Sequence, residues 1–286
     1  MRIAITGTTG RVGRALADRL VGPHEVTELP RTRLDLSAST SEAVLGELDF
    51  DLLVNPAGMT GLEQCEDEPE RARQINAIAP AAMARVCKKL GKRMLHFSTD
   101  YVFDGLEPGL RHEDDPTWPL SVYGKTKAEG EQGVLAAGGT VMRVSWVFGR
   151  ERPAFPDMIL ERALAGEELA AVADKFSLPA STLDISRWVA RWIDAGCPGG
   201  IIHACQSGAP VSWHGMAEEV VEFLREQGRA PARVKALALD EMDAFRAPRP
   251  RHTAMATERL ESLLGHPPRD WRETLREHLA WLLISR

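Results

Sequence analysis

A tyrosine and a lysine stand four residues apart in the segment Tyr123-Gly-Lys-Thr-Lys127. Residues at this spacing share one face of a helix, so we expect the ammonium of Lys127 to lie beneath the hydroxyl of Tyr123. A nearby cation favours phenolate, which predicts a pKa for Tyr123 lowered from about 10. Such a tyrosine can exchange the proton that accompanies hydride transfer at a carbonyl carbon. A tyrosine and a lysine at this spacing are common by chance, so the pair indicates an active site only together with a cofactor-binding motif.

A glycine-rich turn predicts that cofactor site. Gly7, Gly10 and Gly13 follow the apolar stretch 2–6, and apolar residues recur at helical spacing over 14–20. Strand, glycine turn and helix in this order are typical of a dinucleotide-binding loop, where glycine lets the backbone approach the pyrophosphate at the helix N-terminus. The sequence therefore predicts a dinucleotide cofactor.

Composition indicates an acidic globular protein. The chain has 286 residues, 44% hydrophobic and 27% charged, with a formal net charge of −6. This balance argues against nucleic acid or an anionic membrane as the main partner, and no apolar run reaches the roughly 18–20 residues of a membrane span. The four cysteines lack C-x-x-C or metal-type spacing, which favours reduced thiols and a cytoplasmic location. No metal site is predicted.

Strand-like and helix-like stretches alternate along the chain, which predicts an α/β fold with a Rossmann-like doubly wound parallel sheet. Residues 1–150 are the predicted NAD(P)-binding domain. Residues 151–286 are the predicted smaller C-terminal substrate lobe, with a segment near 199–225 returning to the first domain. Residues 98–105 follow a strand, at the edge where such sheets bind ligands. Strands are predicted at 25–29, 51–55, 93–97 and 140–148.

Several motifs, spread over nearly the whole chain, carry a family resemblance. They are Thr6-Gly-Thr-Thr-Gly-Arg-Val-Gly13, Leu34-Asp-Leu36, Asn55-Pro-Ala-Gly58, Phe97-Ser-Thr-Asp-Tyr-Val-Phe-Asp-Gly105, Tyr123-Gly-Lys-Thr-Lys-Ala-Glu-Gly-Glu131, Arg143-Val-Ser-Trp-Val-Phe148, Gly200-Ile-Ile-His203 and Arg249-Pro-Arg-His-Thr253. On these motifs the chain resembles the extended short-chain dehydrogenase/reductases, and within them it is similar to the dTDP-4-dehydrorhamnose reductase family.

The resemblance implies hydride transfer to the 4-keto group of a nucleotide-activated deoxysugar, with dTDP-4-dehydro-L-rhamnose as the first candidate and dTDP-L-rhamnose as its product. Tyr123 would be the catalytic acid, while Lys127 would lower its pKa and bind the nicotinamide ribose. Thr99 would donate to the C4 carbonyl, with Asp100 beside it in the catalytic group. The implied substrate-binding residues are Thr99, Asp100, Tyr101, Val102, Tyr123, Trp146, Arg249 and Thr253.

The predicted cofactor is NADPH, with NADH as the alternative. Arg31 and Arg33 follow the second predicted strand and Arg11 lies in the glycine turn, so guanidinium groups are available for a 2′-phosphate. Glu28, at the end of that strand, argues for NADH. The implied cofactor-binding residues are Gly7, Thr9, Gly10, Arg11, Val12, Gly13, Arg31, Asp35, Leu36, Asn55, Pro56, Ala57, Gly58, Thr60, Tyr123 and Lys127.

The substrate lobe departs from the family pattern, so the exact sugar is not determined. The family motif Asp-Gln-x-Gly-x-Pro-Thr reads Asp174-Lys-Phe-Ser-Leu-Pro-Ala180 here. The segment Arg246-Ala-Pro-Arg-Pro-Arg-His252 carries three arginines, and we expect Arg249 to clamp the substrate's diphosphate.

Two alternative functions stay open. One is a nucleotide-sugar epimerase or 4,6-dehydratase, although dehydratases of this superfamily carry a glutamate where this chain has Tyr101. The other is a non-catalytic dinucleotide-binding regulatory subunit, which the retention of Thr99, Tyr123 and Lys127 disfavours. A homodimer is left open as well. His96 and His203, in apolar strand patterns, are interpreted as core histidines.

Overall fold

A six-stranded sheet lies at the centre of the computed structural model, which describes residues 1–38 and 41–285. The strands of the chain are β1 Arg2–Thr6, β2 Glu25–Leu29, β3 Leu52–Asn55, β4 Arg93–Thr99, β5 Thr140–Val144, β6 Val147–Phe148, β7 Leu169–Val172, β8 Phe176–Ser177, β9 Ala180–Ser181, β10 Gly200–His203, β11 Val211–Ser212 and β12 Val234–Leu237. The central sheet has the order β2-β1-β3-β4-β5-β10, and all its neighbouring strands are parallel. The predicted fold class is confirmed.

Helices cover both faces of this sheet. They are α1 Arg11–Leu20, α2 Ser41–Gly46, α3 Leu62–Asp67, α4 Pro69–Arg73, α5 Ala79–Lys89, α6 Val122–Ala136, α7 Phe155–Leu164, α8 Thr182–Asp194, α9 Trp213–Glu226, α10 Glu258–Leu264 and α11 Trp271–Ile284. A π-helical turn, Gln74–Ile78, joins α4 to α5, and short 3₁₀ turns cover Asp100–Val102 and Leu239–Glu241. No helix of the described residues has the length and apolar character needed to cross a membrane.

Alternate side chains of the strands enter two separate cores. In β1, Ile3 and Ile5 pack in the apolar cluster that includes residues of α1 and α8, whereas Ala4 packs in the cluster that includes residues of α2 and α5. In β3, Leu52 and Leu53 divide in the same way. Because both faces of β1 and β3 are buried, these two strands read as nearly continuous apolar runs rather than as an alternating pattern.

A further apolar cluster lies outside the sheet and joins α7, α9 and α11. Leu169 of β7 and Val234 of β12 belong to it, and these two strands pair in parallel. Within the segment 199–225, β10 extends the central sheet, while α9 packs in this outer cluster. The division of the chain at residue 150 stays a prediction.

The strand order reverses between β1 and β3, and this reversal positions the site. The chain runs from β1 to β2 on one side, and β3, β4 and β5 then follow on the other. Loops diverge at such a point and leave a crevice outside the C-terminal ends of the strands. The glycine turn follows β1 and the loop 56–61 follows β3, so both predicted cofactor loops border the crevice.

Candidate active site

A cleft of about 790 Å³ opens at the C-terminal ends of β1, β3, β4 and β5. We call its end at Thr99, Tyr101, Tyr123 and Trp146 the substrate end. Most of the predicted site residues line the cleft, namely Gly7, Thr9, Gly10, Arg11, Val12, Gly13, Arg31, Asp35, Leu36, Pro56, Ala57, Gly58, Thr60, Thr99, Asp100, Tyr101, Tyr123, Lys127 and Trp146. Four of the predicted site residues do not line the cleft: Asn55, Val102, Arg249 and Thr253.

The glycine turn is tight enough to exclude side chains. Gly7 has a φ of +57°, and its N–H donates to the carbonyl of Leu29 at 3.0 Å. A Cβ at Gly13 would lie 2.3 Å from the carbonyl oxygen of Gly7. Helix α1 starts with Gly10 as a cap that offers no side-chain hydrogen bond, so the first amides of the helix are left for a ligand. The turn therefore fits a dinucleotide pyrophosphate.

Charges at the end of β2 are largely paired within the protein. Glu28 accepts from Arg14 at 2.9 and 3.1 Å, and Arg31 lies 3.2 Å from Asp35 while its side chain remains 64% exposed. Arg11 instead donates to backbone carbonyl oxygens, including that of Val147 at 3.0 Å. Arg31 lines the cleft and Arg33 does not, so of the three predicted guanidinium groups the exposed one on Arg31 is best placed for a 2′-phosphate.

The π-helical turn positions Asn76, a residue that the sequence patterns did not single out. Its Oδ1 accepts from the backbone N–H of Met59 at 2.8 Å, and its Nδ2 donates to the Met59 carbonyl at 3.0 Å. A Cβ at Gly130 would lie 2.2 Å from the Asn76 carbonyl oxygen, so α6 packs directly against this turn. Asn76 thereby fixes the loop after β3 relative to the helix that carries Tyr123.

Lys127 is buried beneath the cleft. Its Nζ donates to the carbonyl oxygen of Phe97 at 2.6 Å and lies 3.1 Å from Nε2 of His96. Burial lowers the pKa of Lys127 to about 8, and the nearby Glu131 opposes this shift. Asn55 lies 2.9 Å from the other ring nitrogen of His96. His96 is a buried histidine, as expected, and it contacts both Lys127 and Asn55, while Asn55 does not line the cleft.

The pKa of Tyr123 is raised, whereas its spacing to Lys127 predicted a lowered pKa. Helix α6 begins just before it, with the Ser121 hydroxyl accepting from the Gly124 N–H at 3.1 Å, so Tyr123 and Lys127 lie one turn apart as predicted. Burial nevertheless raises the pKa of Tyr123, and a hydrogen bond with Thr99 offsets only part of this. The expected lowering is wrong for this structure, because the ammonium is directed at Phe97 and His96.

Asp100 gathers hydroxyl groups from distant parts of the chain. Thr99 donates to its Oδ1 at 3.1 Å, Ser177 to its Oδ2 at 3.0 Å, and Thr253 also to Oδ2. Burial raises the pKa of Asp100, while Lys175 and these hydroxyls oppose the shift. Thr253 therefore contacts Asp100 rather than lining the cleft, and Ser177 is a contact that sequence reasoning missed.

Trp146 lines the substrate end with a strained backbone. Its φ of 43° interrupts the strand predicted over 140–148 and separates β5 from β6. Its ring packs on Trp213 with centroids 5.6 Å apart, and its buried Nε1 has no hydrogen-bond partner among the described residues. A residue held in a disfavoured conformation is often functional, and this donor is available to a ligand.

Arg249 lies outside the cleft, contrary to the expected diphosphate clamp. Its guanidinium pairs with Glu63 at 2.9 Å and lies 3.7 Å above the ring of Phe245. Arg246 and Arg251 also have acidic partners, Asp67 and Asp174 respectively. A guanidinium that is already neutralised must exchange its partner before it can bind a diphosphate.

A glycine turn at the reversal point of a parallel sheet, with a tyrosine and lysine one helical turn apart across the crevice, defines a short-chain dehydrogenase/reductase. Proteins of this class are dinucleotide-dependent oxidoreductases.

Comparison with known proteins narrows the class to a family. A family model described as the RmlD substrate binding domain matches residues 1–284, and the chain belongs to this family. It is 35% identical to a dTDP-4-dehydrorhamnose reductase of Mycolicibacterium smegmatis, over 98% of this chain and 85% of the relative. It is 37% identical to a probable dTDP-4,6-dihydroxy-2-methyloxan-3-one 4-ketoreductase of Streptomyces antibioticus, over 100% of this chain and 97% of the relative.

A solved structure agrees with the fold. The crystal structure of a Bacillus anthracis dTDP-4-dehydrorhamnose reductase in complex with NADP superposes with a TM-score of 0.88 at 25% identity, over 98% of each chain. The predicted family and the predicted fold are both confirmed.

Proposed function

We propose that the chain transfers hydride from NADPH to the 4-keto group of a nucleotide-activated deoxysugar, with dTDP-4-dehydro-L-rhamnose as the first substrate to test. Full-length relatives named as dTDP-linked keto-sugar reductases support the reaction class. The observation that carries the proposal is that Tyr123 and Thr99 both line the substrate end of the cleft, with the buried ammonium of Lys127 one helical turn from Tyr123.

The glycine turn, the loop after β3 and Lys127 would hold the dinucleotide. The turn offers free amides at a helix N-terminus and a backbone surface without side chains, which suits a pyrophosphate. Bound NADPH supplies the hydride. The NADP complex of the Bacillus anthracis relative and the exposed guanidinium of Arg31 support the phosphorylated cofactor.

Tyr123 is the proposed proton donor. Because burial raises its pKa, the phenol stays protonated at neutral pH, which is the form that a general acid needs for reduction. Thr99 is proposed to orient the phenol hydroxyl. Lys127 is proposed to bind the ribose and to stabilise the phenolate that remains once the proton has left, because an opposite charge nearby favours the ionised form.

A second sugar is a specific alternative with the same chemistry. The Streptomyces antibioticus relative is named for a different dTDP-linked keto sugar and is 37% identical to this chain. Lys175 and Ser177 also depart from the family motif near the substrate end. The reduction of a keto sugar is therefore better supported than the choice of sugar.

Turnover of purified protein with NADPH and each of the two dTDP-keto sugars tests the function. We expect oxidation of NADPH with at least one sugar, and none with a dTDP-sugar that lacks the ketone. Binding of NADPH without turnover of either sugar indicates a regulatory subunit. Loss of water, or a change of stereochemistry without net consumption of NADPH, indicates a dehydratase or an epimerase.

We also propose that the chain works in the cytoplasm. Its four cysteines are unpaired, and burial raises the pKa of the Cys65 thiol to about 11 and that of Cys87 to about 12. Inert reduced thiols suit a reducing compartment. Cell fractionation followed by immunoblotting checks the location, and recovery in the extracellular fraction of intact cells contradicts it.

A further inference from the structure

A second buried lysine, Lys175, lies behind the substrate end of the cleft. Its side chain is 0% exposed, and its Nζ donates to the carbonyl oxygen of Pro250 at 2.8 Å. The same nitrogen lies 4.8 Å from the ring centre of Tyr101 and 5.6 Å from that of Trp146. Both rings line the cleft. An ammonium has three N–H donors, so these aromatic faces stabilise charge that the single carbonyl leaves uncompensated.

Asp100 is the acidic group that compensates Lys175. Asp100 is 1% exposed and accepts hydrogen bonds from the hydroxyls of Thr99, Ser177 and Thr253. Three donated hydroxyl hydrogen bonds are the pattern of an ionised carboxylate, since a protonated carboxyl group needs an acceptor of its own. A buried carboxylate is costly without a cation nearby, and Lys175 supplies that cation.

The ionised Asp100 sets the direction of the hydroxyl of Thr99. Thr99 has one hydroxyl proton, which it donates to Asp100, so its lone pairs are left to accept. One accepts the backbone N–H of Tyr101 at 3.2 Å, so the hydroxyl is held by Asp100 on one side and by Tyr101 on the other. Were Asp100 protonated, it could donate to Thr99, and the hydroxyl proton of Thr99 would turn to another acceptor.

We propose that Lys175 is a positioning residue for the reaction at the substrate end. Its charge keeps Asp100 ionised, which fixes the direction of the Thr99 hydroxyl, and its ring contacts hold Tyr101 and Trp146 in place. Lys175 does not line the cleft and acts through these neighbours. The proposal deepens the proposed function and rests on it.

The other titratable groups around the pair define the expected pH dependence. Arg249 interacts with Lys175, whereas Tyr101, Tyr123 and Cys205 interact with Asp100. Burial lowers the pKa of Lys175 to about 8, and Asp100 opposes this. Burial raises the pKa of Asp100, and Lys175 opposes this. Removal of the lysine charge therefore raises the pKa of Asp100 further, so that Asp100 becomes protonated at a higher pH.

Steady-state kinetics of Lys175→Met across pH test the proposal with the sugar that the wild type reduces. We expect kcat at neutral pH to fall roughly ten- to a hundredfold. The acid limb of the kcat profile should move upward by about one pH unit or more, while the Kd for NADPH stays unchanged. Arg251→Met is the matched control, because it removes a nearby cation that pairs with Asp174 and Asp240 rather than with Asp100. Its acid limb should match the wild type, and an unmoved limb in Lys175→Met overturns the proposal.

Infrared difference spectroscopy gives a readout that does not depend on turnover. At neutral pH the C=O stretch of a protonated Asp100 should be absent from the wild type and present in Lys175→Met. It should disappear again in Lys175→Met/Asp100→Asn, which assigns the band. If the wild type reduces no keto sugar but the C=O bands appear as expected, the proposed function is wrong and the charge coupling between Lys175 and Asp100 is still supported. Should Lys175→Met fail to fold, Lys175→Gln replaces it, since its amide can still donate to Pro250. A spectrum identical to the wild type overturns the coupling.

Discussion

At the scale of single residues, burial sets the protonation states of the site more than charge pairing does. The spacing of Tyr123 and Lys127 correctly predicted one helical turn between them. It could not predict the pKa of Tyr123, because spacing along one helix carries no information about Phe97 and His96, which hold the ammonium from β4. The result is a protonated phenol near a lysine whose own pKa lies at about 8.

Removal of the phenol hydroxyl should stop the reaction and spare the cofactor. In Tyr123→Phe we expect kcat to fall about 10²- to 10⁴-fold, the contribution typical of a positioned proton donor. The Kd for NADPH should stay close to the wild-type value, because Lys127 and the glycine turn are untouched. Stopped-flow turnover and fluorescence titration measure the two quantities. A Tyr123→Phe enzyme that turns over within about threefold of wild type rules out the assigned donor.

Affinity for NADPH should weaken as pH rises through the pKa of Lys127. Since burial lowers that pKa to about 8, the ammonium is present below this pH and is lost above it. Fluorescence titrations between about pH 7 and pH 9 should show this loss in the wild type and in Tyr123→Phe, and a weaker, nearly flat affinity in Lys127→Met. An equal pH slope in the two variants contradicts a role for Lys127 in binding the cofactor.

At the scale of elements, hydrophobic patterns located the strands but not the irregular backbone between them. The strand predicted over 140–148 breaks at Trp146, where a positive φ turns the ring into the cleft. The π-helical turn at Asn76 leaves no signature in the apolar spacing, yet its amide fixes the loop after β3. Both irregularities border the cleft, as expected where function overrides local preference.

The edge of β2 should decide the preference for the phosphorylated cofactor. Arg31 lines the cleft there, whereas Glu28 is engaged by Arg14. Arg31→Ala should lower kcat/KM with NADPH about tenfold or more, the worth of a lost charge-assisted hydrogen bond, and leave kcat/KM with NADH unchanged. Arg33→Ala is the matched control, because Arg33 donates to the Glu28 carbonyl and is not among the residues lining the cleft. Equal losses with both cofactors, or in both variants, would place the 2′-phosphate elsewhere.

At the scale of the whole molecule, the alternation of elements and the family motifs predicted the parallel sheet, while long-range contacts escaped prediction. Asp100 meets Ser177 and Thr253 across separations of 77 and 153 residues, and Arg249 meets Glu63 from a loop expected to bind the diphosphate. Such contacts depend on the tertiary fold, which brings segments distant in sequence together. The cofactor loops could be predicted because they follow strands directly; the surroundings of Asp100 could not.

The central claim is that this chain moves hydride from the dinucleotide to C4 of a dTDP-linked keto sugar. The most direct measurement uses NADPH that carries deuterium at the transferable position of its nicotinamide, with dTDP-4-dehydro-L-rhamnose as substrate and NMR of the sugar product. We expect one deuterium at C4, which also carries the newly formed hydroxyl, and none at C4 when Tyr123→Phe replaces the wild type for the same short time. Deuterium at another carbon, or a C4 hydroxyl formed without deuterium, would contradict hydride transfer to C4.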